Sequence, residues 1–269
     1  MVADLIQTVT TLGVEPFQEN FVIGTFASSA SRETSHLHSM VIDEPLPREP
    51  EGVEVGMRSL SIRTVNSDSQ HESASLLVNK RYAWRGYQCN GVPDHQTSDC
   101  VTLIGSDEGL TVGTMTIGFD GPQGILADDA FSDVTDQMRN AGREICEFTK
   151  LAMESSPKSM QTLASMVHVS YILARRVRGA DEAFIEVNPR HVRYYQRMLG
   201  FKVASPAREN RRVHAPGVLL SLDLAWALDQ VAKFNGCGAL ATGEKSLYPF
   251  FYSIEEENRI FHRLKHQIQ

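Results

Sequence analysis

The stretch VNPRHVRYYQRMLGF, residues 187–201, places the end of an apolar strand beside a short basic helix. Pro189 cannot donate a hydrogen bond to a strand ladder, so the strand is expected to end at Asn188. The segment that follows is predicted to be a helix, and Gly200 is a typical helix stop. The stretch therefore predicts a strand-to-helix unit with two adjacent tyrosines about two turns beyond the strand.

The composition bounds the class of protein. The chain of 269 residues is 42% hydrophobic and 22% charged, which is typical of a globular protein. No apolar run is long enough to span a bilayer, and the N-terminus lacks the basic region of a secretory signal. The four cysteines are scattered without CxxC spacing, which disfavours a zinc site and suits a reducing compartment. We therefore expect a cytoplasmic protein without a transmembrane segment or a metal site.

The charge is unevenly distributed. The net charge of −7 disfavours a general nucleic-acid binder. Residues 139–214, however, contain fourteen Lys and Arg residues against seven Asp and Glu residues. This excess indicates either a local anionic partner or a chance clustering of solvated side chains. The aspartates of residues 120–136 lack calcium-loop spacing and are expected to be solvated.

Strand and helix patterns divide the chain into three parts. Residues 1–52 are interpreted as a poorly ordered extension, 53–235 as one domain, and 236–269 as a tail that packs on it. The predicted strands are VGMRSLSIRTV, CVTLIG, LTVGTMTIGF, REICEFTKLAM, EAFIEVN, FKVA and GVLLSLDLAW. The predicted helices are QHESASLLVNKRYAWRGY, FSDVTDQMRNAG, SMQTLASMVHVSYILARRVRG, RHVRYYQRML and IEEENRIFHRL. Helical crossovers between strands imply a mixed α/β sheet.

The order of these elements resembles the GNAT acyltransferase fold. The signature of that fold is an Asn at the end of the fifth strand, a helical Tyr seven residues on, and a closing Gly-Phe, which Asn188, Tyr195 and Gly200-Phe201 match. The spacing from Tyr to Gly is one residue longer than in common acetyltransferases and is similar to that of FeeM-type long-chain N-acyl amino acid synthases. Similar pieces in the same order are RYAWRGY, GPQGILADDAF, EICEFTKLA, LLSLDLAW and KSLYPFF. The resemblance spans about 53–260 and implies a GNAT-like acyl-CoA N-acyltransferase fold, with a central mixed twisted sheet flanked by helices.

A departure from the acetyltransferases bears on the donor. They usually carry a glycine loop before the long helix, which binds the CoA pyrophosphate, whereas this chain has ESSPKSMQTLAS. Ser159 is expected to cap a bare helix N-terminus that can bind an anion of the donor. The resemblance implies an acyl-phosphopantetheine thioester on acyl carrier protein, an acidic partner, with acyl-CoA as the alternative. Arg208, Arg211 and Arg212 are interpreted as the carrier-protein dock or as a solvated loop.

Glu147 is the candidate catalytic base. A carboxylate on the apolar strand EICEFTKLA is costly unless it is hydrogen-bonded or functional. Acyl transfer to an amine needs a base, because an ammonium is not nucleophilic. Strand alternation predicts Arg143, Glu147 and Leu151 on one face and Lys150 on the other. The alternative for Glu147 is a structural ion pair with Arg143 or another base. Lys150 is assigned to donor binding from its matching position in the family.

The remaining candidates come from the resemblance and from side-chain chemistry. Tyr195 matches the GNAT tyrosine that protonates the leaving thiolate, with Tyr194 as the competing register and aromatic packing as the alternative. Asn188 is expected to lie beside the pantetheine arm or to cap the helix. Arg85 is interpreted as the partner of the acceptor carboxylate, and Trp84 as core or as a wall of the acyl pocket.

The residues and the resemblance together imply a function. The chain is expected to transfer a long-chain fatty acyl group from a thioester to the α-amine of an amino acid by direct attack, without a covalent enzyme intermediate. Two alternatives stay open. One is a CoA-dependent acetyltransferase, which the missing glycine loop disfavours. The other is a catalytically silent GNAT-like sensor that binds an acyl ligand or acyl carrier protein.

Overall fold

The structure is a computed structural model that describes residues 22–27, 59–93, 99–155, 159–234 and 244–268. The interpretation of residues 1–52 as an extension lies outside these ranges, except that 22–27 form a strand. None of the helices in the described part of the chain combines the length and hydropathy needed to cross a membrane.

In the described part of the chain, eight strands form one mixed sheet. They are β1 Val22–Ala27, β2 Ser59–Thr64, β3 Cys100–Asp107, β4 Leu110–Phe119, β5 Ile145–Met153, β6 Glu182–Val187, β7 Lys202–Asn210 and β8 Ala215–Asp223. Their spatial order is β1-β2-β3-β4-β5-β6-β8-β7. Neighbours are antiparallel except β5 and β6, which run parallel and therefore need a long crossover connection. The predicted mixed α/β sheet is confirmed.

Six α-helices flank the sheet within the described residues. They are α1 Asp68–Ala83, α2 Asp128–Asn140, α3 Ser159–Tyr171, α4 Val192–Leu199, α5 Leu224–Phe234 and α6 Ile254–Ile268. Five of them fall on predicted helices. The exception is α5, because Asp223 ends the strand: its Oδ1 accepts hydrogen bonds from the backbone N–H groups of Ala225 and Trp226, both at 2.9 Å. The prediction that this strand continues to Trp226 was wrong.

The two faces of the sheet carry different helices. Ala152 and Glu147 of β5 pair with Thr114 and Gly118 of β4, which lie four residues apart and so share a face. Ala152 packs against α1, and Glu147 binds the backbone that leads into α2. We call this the α1–α2 face. The opposite side, the α3 face, packs against α3, α5 and α6 and carries the largest apolar cluster.

A β-bulge at Lys150 changes which side chains of β5 share a face. Met115 of β4 lies opposite both Lys150 and Leu151, because the register shifts at this point. Lys150 has φ of 52°, a left-handed conformation that is uncommon for residues other than Gly. Leu151 therefore packs on the α3 face, while Lys150 turns to the α1–α2 face. The prediction that Leu151 shares a face with Glu147, with Lys150 opposite, was wrong because an inserted residue breaks strict alternation.

β5 and β6 separate near the middle of the sheet. Their paired positions run from Ile145 with Glu182 to Glu147 with Phe184. Beyond these pairs the bulge bends β5 away from β6. A gap therefore opens in the sheet between 148–153 and the end of β6.

The stretch at residues 187–201 folds as predicted. β6 ends just before Asn188, whose Oδ1 accepts a hydrogen bond of 3.2 Å from the backbone N–H of Arg190 and caps a short 3-10 turn. α4 follows and ends at Gly200, which has φ of 78°. A Cβ atom there would lie 2.1 Å from the indole of Trp226, so the packing of α5 also requires glycine.

The described part of the tail packs on the α3 face. Its buried residues in the main core are Leu247, Tyr248, Phe251, Tyr252, Ile260 and Leu264. The buried His168 of α3 accepts a hydrogen bond from the backbone N–H of Tyr252 and lies 3.2 Å from a carboxylate oxygen of Glu257 in α6. These contacts join α6 to the domain.

The acidic segment around α2 is paired. Arg139 binds the carboxylates of Asp120, Asp128 and Asp136, each at 2.8 Å. The remaining aspartates, Asp129 and Asp133, bind arginines of the β7–β8 hairpin. The prediction of a solvated acidic loop was wrong for Asp120 and Asp128, whose side chains are mostly buried. Asp129, Asp133 and Asp136 remain 58–62% exposed although they are paired.

Candidate functional site

A cavity of about 560 Å³ occupies the gap between β5 and β6. Its apolar wall belongs to the core of the α3 face and includes Met115, Leu151, Leu163, Val167, Ile185 and Phe201. Its polar wall includes Glu147, Lys150, Glu186, Asn188, Asn210 and Arg212. The cavity thus joins an apolar compartment on one face of the sheet to a polar compartment on the other. Its volume lies in the range of about 300–1,000 Å³ that is usual for small-ligand sites.

Glu147 is a buried carboxylate held by backbone amides. Its side chain lies on the polar wall, and the residue is 5% exposed. Oε1 accepts a hydrogen bond of 2.8 Å from the N–H of Leu126, and Oε2 accepts one of 3.0 Å from Ala127. Burial raises the pKa of Glu147 to about 7, although the two amides and the charge of Arg212 oppose this rise. A carboxyl group that titrates near neutral pH is suited to take up a proton.

The alternative ion pair between Glu147 and Arg143 is not formed. Arg143 binds Glu182 at 2.7 Å and Asp223 at 3.1 Å, at the opposite end of the paired strand segment. Gly118 gives Glu147 its space, because a Cβ atom at Gly118 would lie 3.0 Å from Oε1. The carboxylate is therefore fixed in place without a guanidinium partner of its own in the described residues.

Tyr195, and not Tyr194, faces the cavity. Tyr195 lines the space and packs edge-on against Phe201, with ring centroids 6.1 Å apart. Burial raises the pKa of Tyr195 to about 12, while the Arg85 charge lowers it. Tyr194 does not line the cavity, and its hydroxyl is buried without a hydrogen-bond partner among the described residues. The geometry favours the register in which Tyr195 is the proton donor.

Lys150 and Asn188 both lie at the cavity. The bulge directs Lys150 Nζ to within 3.0 Å of Cys89 Sγ, in the segment that follows α1. Asn188 caps the 3-10 turn and also donates a hydrogen bond of 2.9 Å from Nδ2 to the hydroxyl of Tyr87. Asn188 thus satisfies the capping interpretation and also lines the cavity.

Arg85 and Trp84 lie at the C-terminal end of α1, also in the cavity wall. Arg85 Nη1 lies 3.2 Å from Nε2 of His191. Burial and two neighbouring arginines, Arg85 and Arg190, lower the pKa of His191 to about 4. The neutral imidazole accepts from Arg85 and positions it. Trp84 is 44% exposed, so it is a partly open wall and not core.

The predicted carrier-protein dock is largely paired within the chain. Arg208 forms a two-point ion pair with Asp133, at 2.6 and 2.8 Å. Arg212 binds Asp129 and Glu186 and lines the cavity. Both arginines therefore have carboxylate partners within the chain, and their assignment to a carrier-protein dock stays a prediction. Arg211 lies exposed in the turn between β7 and β8.

Ser159 lies away from the cavity. It is the first residue of α3, it is buried, and its hydroxyl donates to the backbone carbonyl of Glu154 at 3.0 Å. The structure therefore does not bring Ser159 together with the other candidates. Among the described residues, no three His, Cys, Asp or Glu side chains are arranged as metal ligands.

The residues of the site that were not predicted from the sequence include Glu186, His191 and Cys89. Glu186 has the clearest sequence signal, because a second carboxylate on an otherwise apolar central strand raises the same question as Glu147. His191 lies within the opening stretch. Cys89 had no signal, because its contact with Lys150 depends on the bulge.

Known proteins resemble this chain in sequence and in fold. A family model described as N-acyl amino acid synthase FeeM matches residues 73–223. The solved structure of FeeM, from uncultured soil microbes, is 22% identical with a TM-score of 0.56, over 66% of this chain and 97% of that one. A comparison with curated proteins found no match.

More distant structures also align. Escherichia coli ElaA is 10% identical with a TM-score of 0.43, over 60% of this chain and 99% of that one. The acyl-homoserine lactone synthase LasI is 13% identical with a TM-score of 0.43, and the alignment covers 63% of this chain and 94% of LasI. The predicted GNAT-like fold is confirmed by the likeness to FeeM. The family model matches more than half of the 269 residues of this chain. The chain therefore belongs to the FeeM family of N-acyl amino acid synthases and is an acyltransferase.

Proposed function

We propose that the chain transfers a long-chain fatty acyl group from acyl carrier protein to the α-amine of an amino acid. The observation that carries this proposal is the cavity through the gap between β5 and β6, with its apolar and polar compartments. The apolar compartment suits an acyl chain, and the polar compartment suits an amino acid. The thioester carbonyl would lie between them.

The proposed reaction uses residues of the two walls. The Glu147 carboxylate removes a proton from the acceptor ammonium, and the free amine attacks the thioester carbonyl carbon. Backbone N–H groups released from pairing by the Lys150 bulge stabilise the oxyanion that forms. The carbon–sulfur bond then breaks, and Tyr195 donates its proton to the thiolate. The nitrogen of the new amide loses its second proton, which restores the Tyr195 phenol, and the proton held by Glu147 is released to solvent. The products are an N-acyl amino acid and free phosphopantetheine thiol on the carrier.

Arg85 is proposed to hold the acceptor carboxylate. Its guanidinium lines the polar compartment, and His191 orients one end of it. A guanidinium can bind a carboxylate through two parallel hydrogen bonds. Lys150 and Asn188, on the edges of the gap, are assigned to the phosphopantetheine arm.

We place the carrier protein at α4 instead of the β7–β8 hairpin. Arg193 and Arg197 are exposed, lie on one face of α4 at a spacing of four residues, and are followed by the exposed Lys202. The same helix carries Tyr195 into the cavity. An acidic carrier protein bound there would present its prosthetic group close to the gap. Such a partner implies the cytoplasm, where the free Cys89, Cys100 and Cys146 stay reduced.

The test is a direct assay of the purified protein. Dodecanoyl-acyl carrier protein is incubated with each of the twenty amino acids, and N-acyl products are identified by mass spectrometry. We expect product with at least one amino acid, and slower turnover of dodecanoyl-CoA and acetyl-CoA. Equal turnover of acetyl-CoA would favour the acetyltransferase alternative. Tight binding of the acyl donor without product from any amino acid would favour the sensor.

A further inference from the structure

Glu186 is a buried carboxylate, and one of its two oxygens lacks a hydrogen-bond partner among the described residues. It lies on β6, faces the polar compartment, and its side chain is 8% exposed. Oε2 accepts a hydrogen bond of 2.8 Å from Arg212. Oε1 is buried and has no hydrogen-bond partner among the described residues. The amide of Asn210 favours the charged form of this carboxyl group, but it does not reach hydrogen-bonding geometry with Oε1.

The chain makes room for this unpaired oxygen. Gly217 of β8 faces it, and a Cβ atom at that position would lie 2.1 Å from Oε1 and 2.8 Å from Cγ of Glu186. An unpaired buried carboxylate oxygen lowers stability, since it has lost water without gaining a donor. A structural ion pair does not require such an oxygen. Glu182, on the same strand and face, has no unpaired buried oxygen and is bound by Arg143.

A shared hydrogen-bond network joins Glu186 to Glu147. The backbone N–H of Leu126 donates to Glu147, and its carbonyl accepts from Nη1 of Arg212 at 2.6 Å. The other terminal nitrogen of Arg212, Nη2, donates a hydrogen bond to Oε2 of Glu186. Two carboxylates are thus fixed on either side of one loop residue, at the same end of the cavity.

We propose that Oε1 of Glu186 binds the ammonium group of the acceptor and holds it for deprotonation by Glu147. This inference rests on the proposed function and assigns to the polar compartment a site for a primary ammonium. One N–H of the ammonium pairs with Glu186, another faces Glu147, and Arg212 fixes the geometry. The arrangement selects acceptors with a primary amine over hydroxy acids of the same shape.

The experiment compares three variants: Glu186→Gln, Gly217→Ala and Glu182→Gln. The first removes the charge, the second displaces the carboxylate without removing it, and the third is a matched control on the same strand. Steady-state kinetics use dodecanoyl-acyl carrier protein and the amino acid turned over fastest among the twenty. We expect Glu186→Gln to raise KM for the amino acid about ten- to hundredfold, the usual effect of losing a charged hydrogen bond. Gly217→Ala should also raise KM for the amino acid.

In Glu186→Gln, KM for the donor should change less than about threefold. In Glu182→Gln, KM for the donor and KM for the amino acid should also change less than about threefold, because Glu182 does not line the cavity. An unchanged amino acid KM in Glu186→Gln, or an equal rise in donor KM, would overturn the inference while leaving the proposed function intact. Circular dichroism spectra check that each variant is folded.

A binding measurement covers the case in which the wild type makes no product and the proposed function fails. Each amino acid, at millimolar concentration, is tested for stabilisation of the wild type against heat. A shift in the melting temperature that Glu186→Gln loses and Glu182→Gln retains would support an ammonium site at Glu186. No shift with any amino acid, or the same shift in both variants, would overturn it.

Discussion

The Oε1 atom of Glu147 accepts a hydrogen bond of 2.8 Å from the backbone amide of Leu126. Ala127 donates to the other oxygen, so both amides come from the turn that leads into α2. A helix N-terminus favours the charged form of a nearby carboxylate, whereas burial disfavours it. Burial dominates, and the pKa of Glu147 rises to about 7. Glu147 is thus basic enough to accept a proton and is still ionised for much of the time at neutral pH.

Replacement of the base should change both the rate and its pH dependence. In Glu147→Gln we expect kcat to fall by roughly 10²–10⁴, the usual range for general base catalysis. In the wild type, kcat/KM for the donor should rise with pH through about 7, as Glu147 loses its proton. The variant should lack this rise and keep only the rise at higher pH from the acceptor's own amine. A folded variant that keeps the wild-type profile would show that Glu147 only supports α2.

The raised pKa also predicts how stability varies with pH. The folded state binds the Glu147 proton more tightly than the unfolded state, in which the pKa of this carboxyl group is near 4.5. Stability from this group is therefore present at low pH and is lost as pH rises from about 4.5 to about 7. The free energy of unfolding of the wild type should fall by on the order of 3 kcal/mol relative to Glu147→Gln over that window. Urea denaturation of both proteins at pH 5 and pH 8 measures the difference; a constant difference would contradict the assignment.

The left-handed backbone at Lys150 allows a prediction that separates the cost of this backbone conformation from the effect of losing the side-chain amine. Lys150→Ala and Lys150→Gly both remove the amine that contacts Cys89. Only alanine retains the cost of the left-handed conformation, about 1–2 kcal/mol for a residue with a Cβ. We expect the glycine variant to be about 1 kcal/mol more stable than the alanine variant, as seen by urea denaturation. A regular strand would give the opposite order, because glycine weakens a strand.

The sequence predicted those parts of the site that local chemistry determines. Pro189 fixes the end of β6, and Gly200 fixes the end of α4, so the strand-to-helix unit followed from local sequence. The choice of Tyr195 came from the resemblance, with Tyr194 left open, and the structure places Tyr195 at the cavity. The Lys150 bulge was not predictable, because it is defined by which residues of β4 pair with β5. The unpaired oxygen of Glu186 likewise depends on Gly217, thirty-one positions away in the chain.

Long-range pairing also explains why two residues of the predicted dock have partners within the chain. Arg208 and Arg212 have the composition of a solvated or partner-binding loop, but their segment forms the β7–β8 hairpin beside α2. There they meet Asp133 and Asp129, which the sequence separates from them by more than seventy positions. Charge patterning finds basic segments but does not show which charges the fold neutralises.

The relocated dock makes a prediction about carrier selectivity. The double variant Arg193→Glu/Arg197→Glu reverses the charge on the exposed face of α4. We expect KM for dodecanoyl-acyl carrier protein to rise roughly tenfold at low salt, with little change for dodecanoyl-CoA, because charge pairing guides association of the acidic carrier. The double variant Arg259→Glu/Arg263→Glu on α6, with the same four-residue spacing, is the control for net charge. Equal effects of the α4 and α6 changes would place the carrier elsewhere.

The adjacent tyrosines of α4 allow a test of the leaving-group acid. Tyr195 faces the cavity, whereas the hydroxyl of Tyr194 is buried and has no hydrogen-bond partner within the part of the chain that the structure describes. Removal of the Tyr195 hydroxyl in Tyr195→Phe should slow departure of the thiolate, so kcat should fall by roughly 10²-fold or more while KM for the donor stays nearly constant. Tyr194→Phe should keep the wild-type rate and gain up to about 1 kcal/mol of stability, because it removes a buried hydroxyl without a partner. The two changes delete the same atom from neighbouring positions, so their comparison controls for loss of a phenol in general. If Tyr194→Phe is the slow variant, the register of α4 in the active protein differs from the one described. If both variants keep the wild-type rate, the thiolate leaves without a proton from either tyrosine.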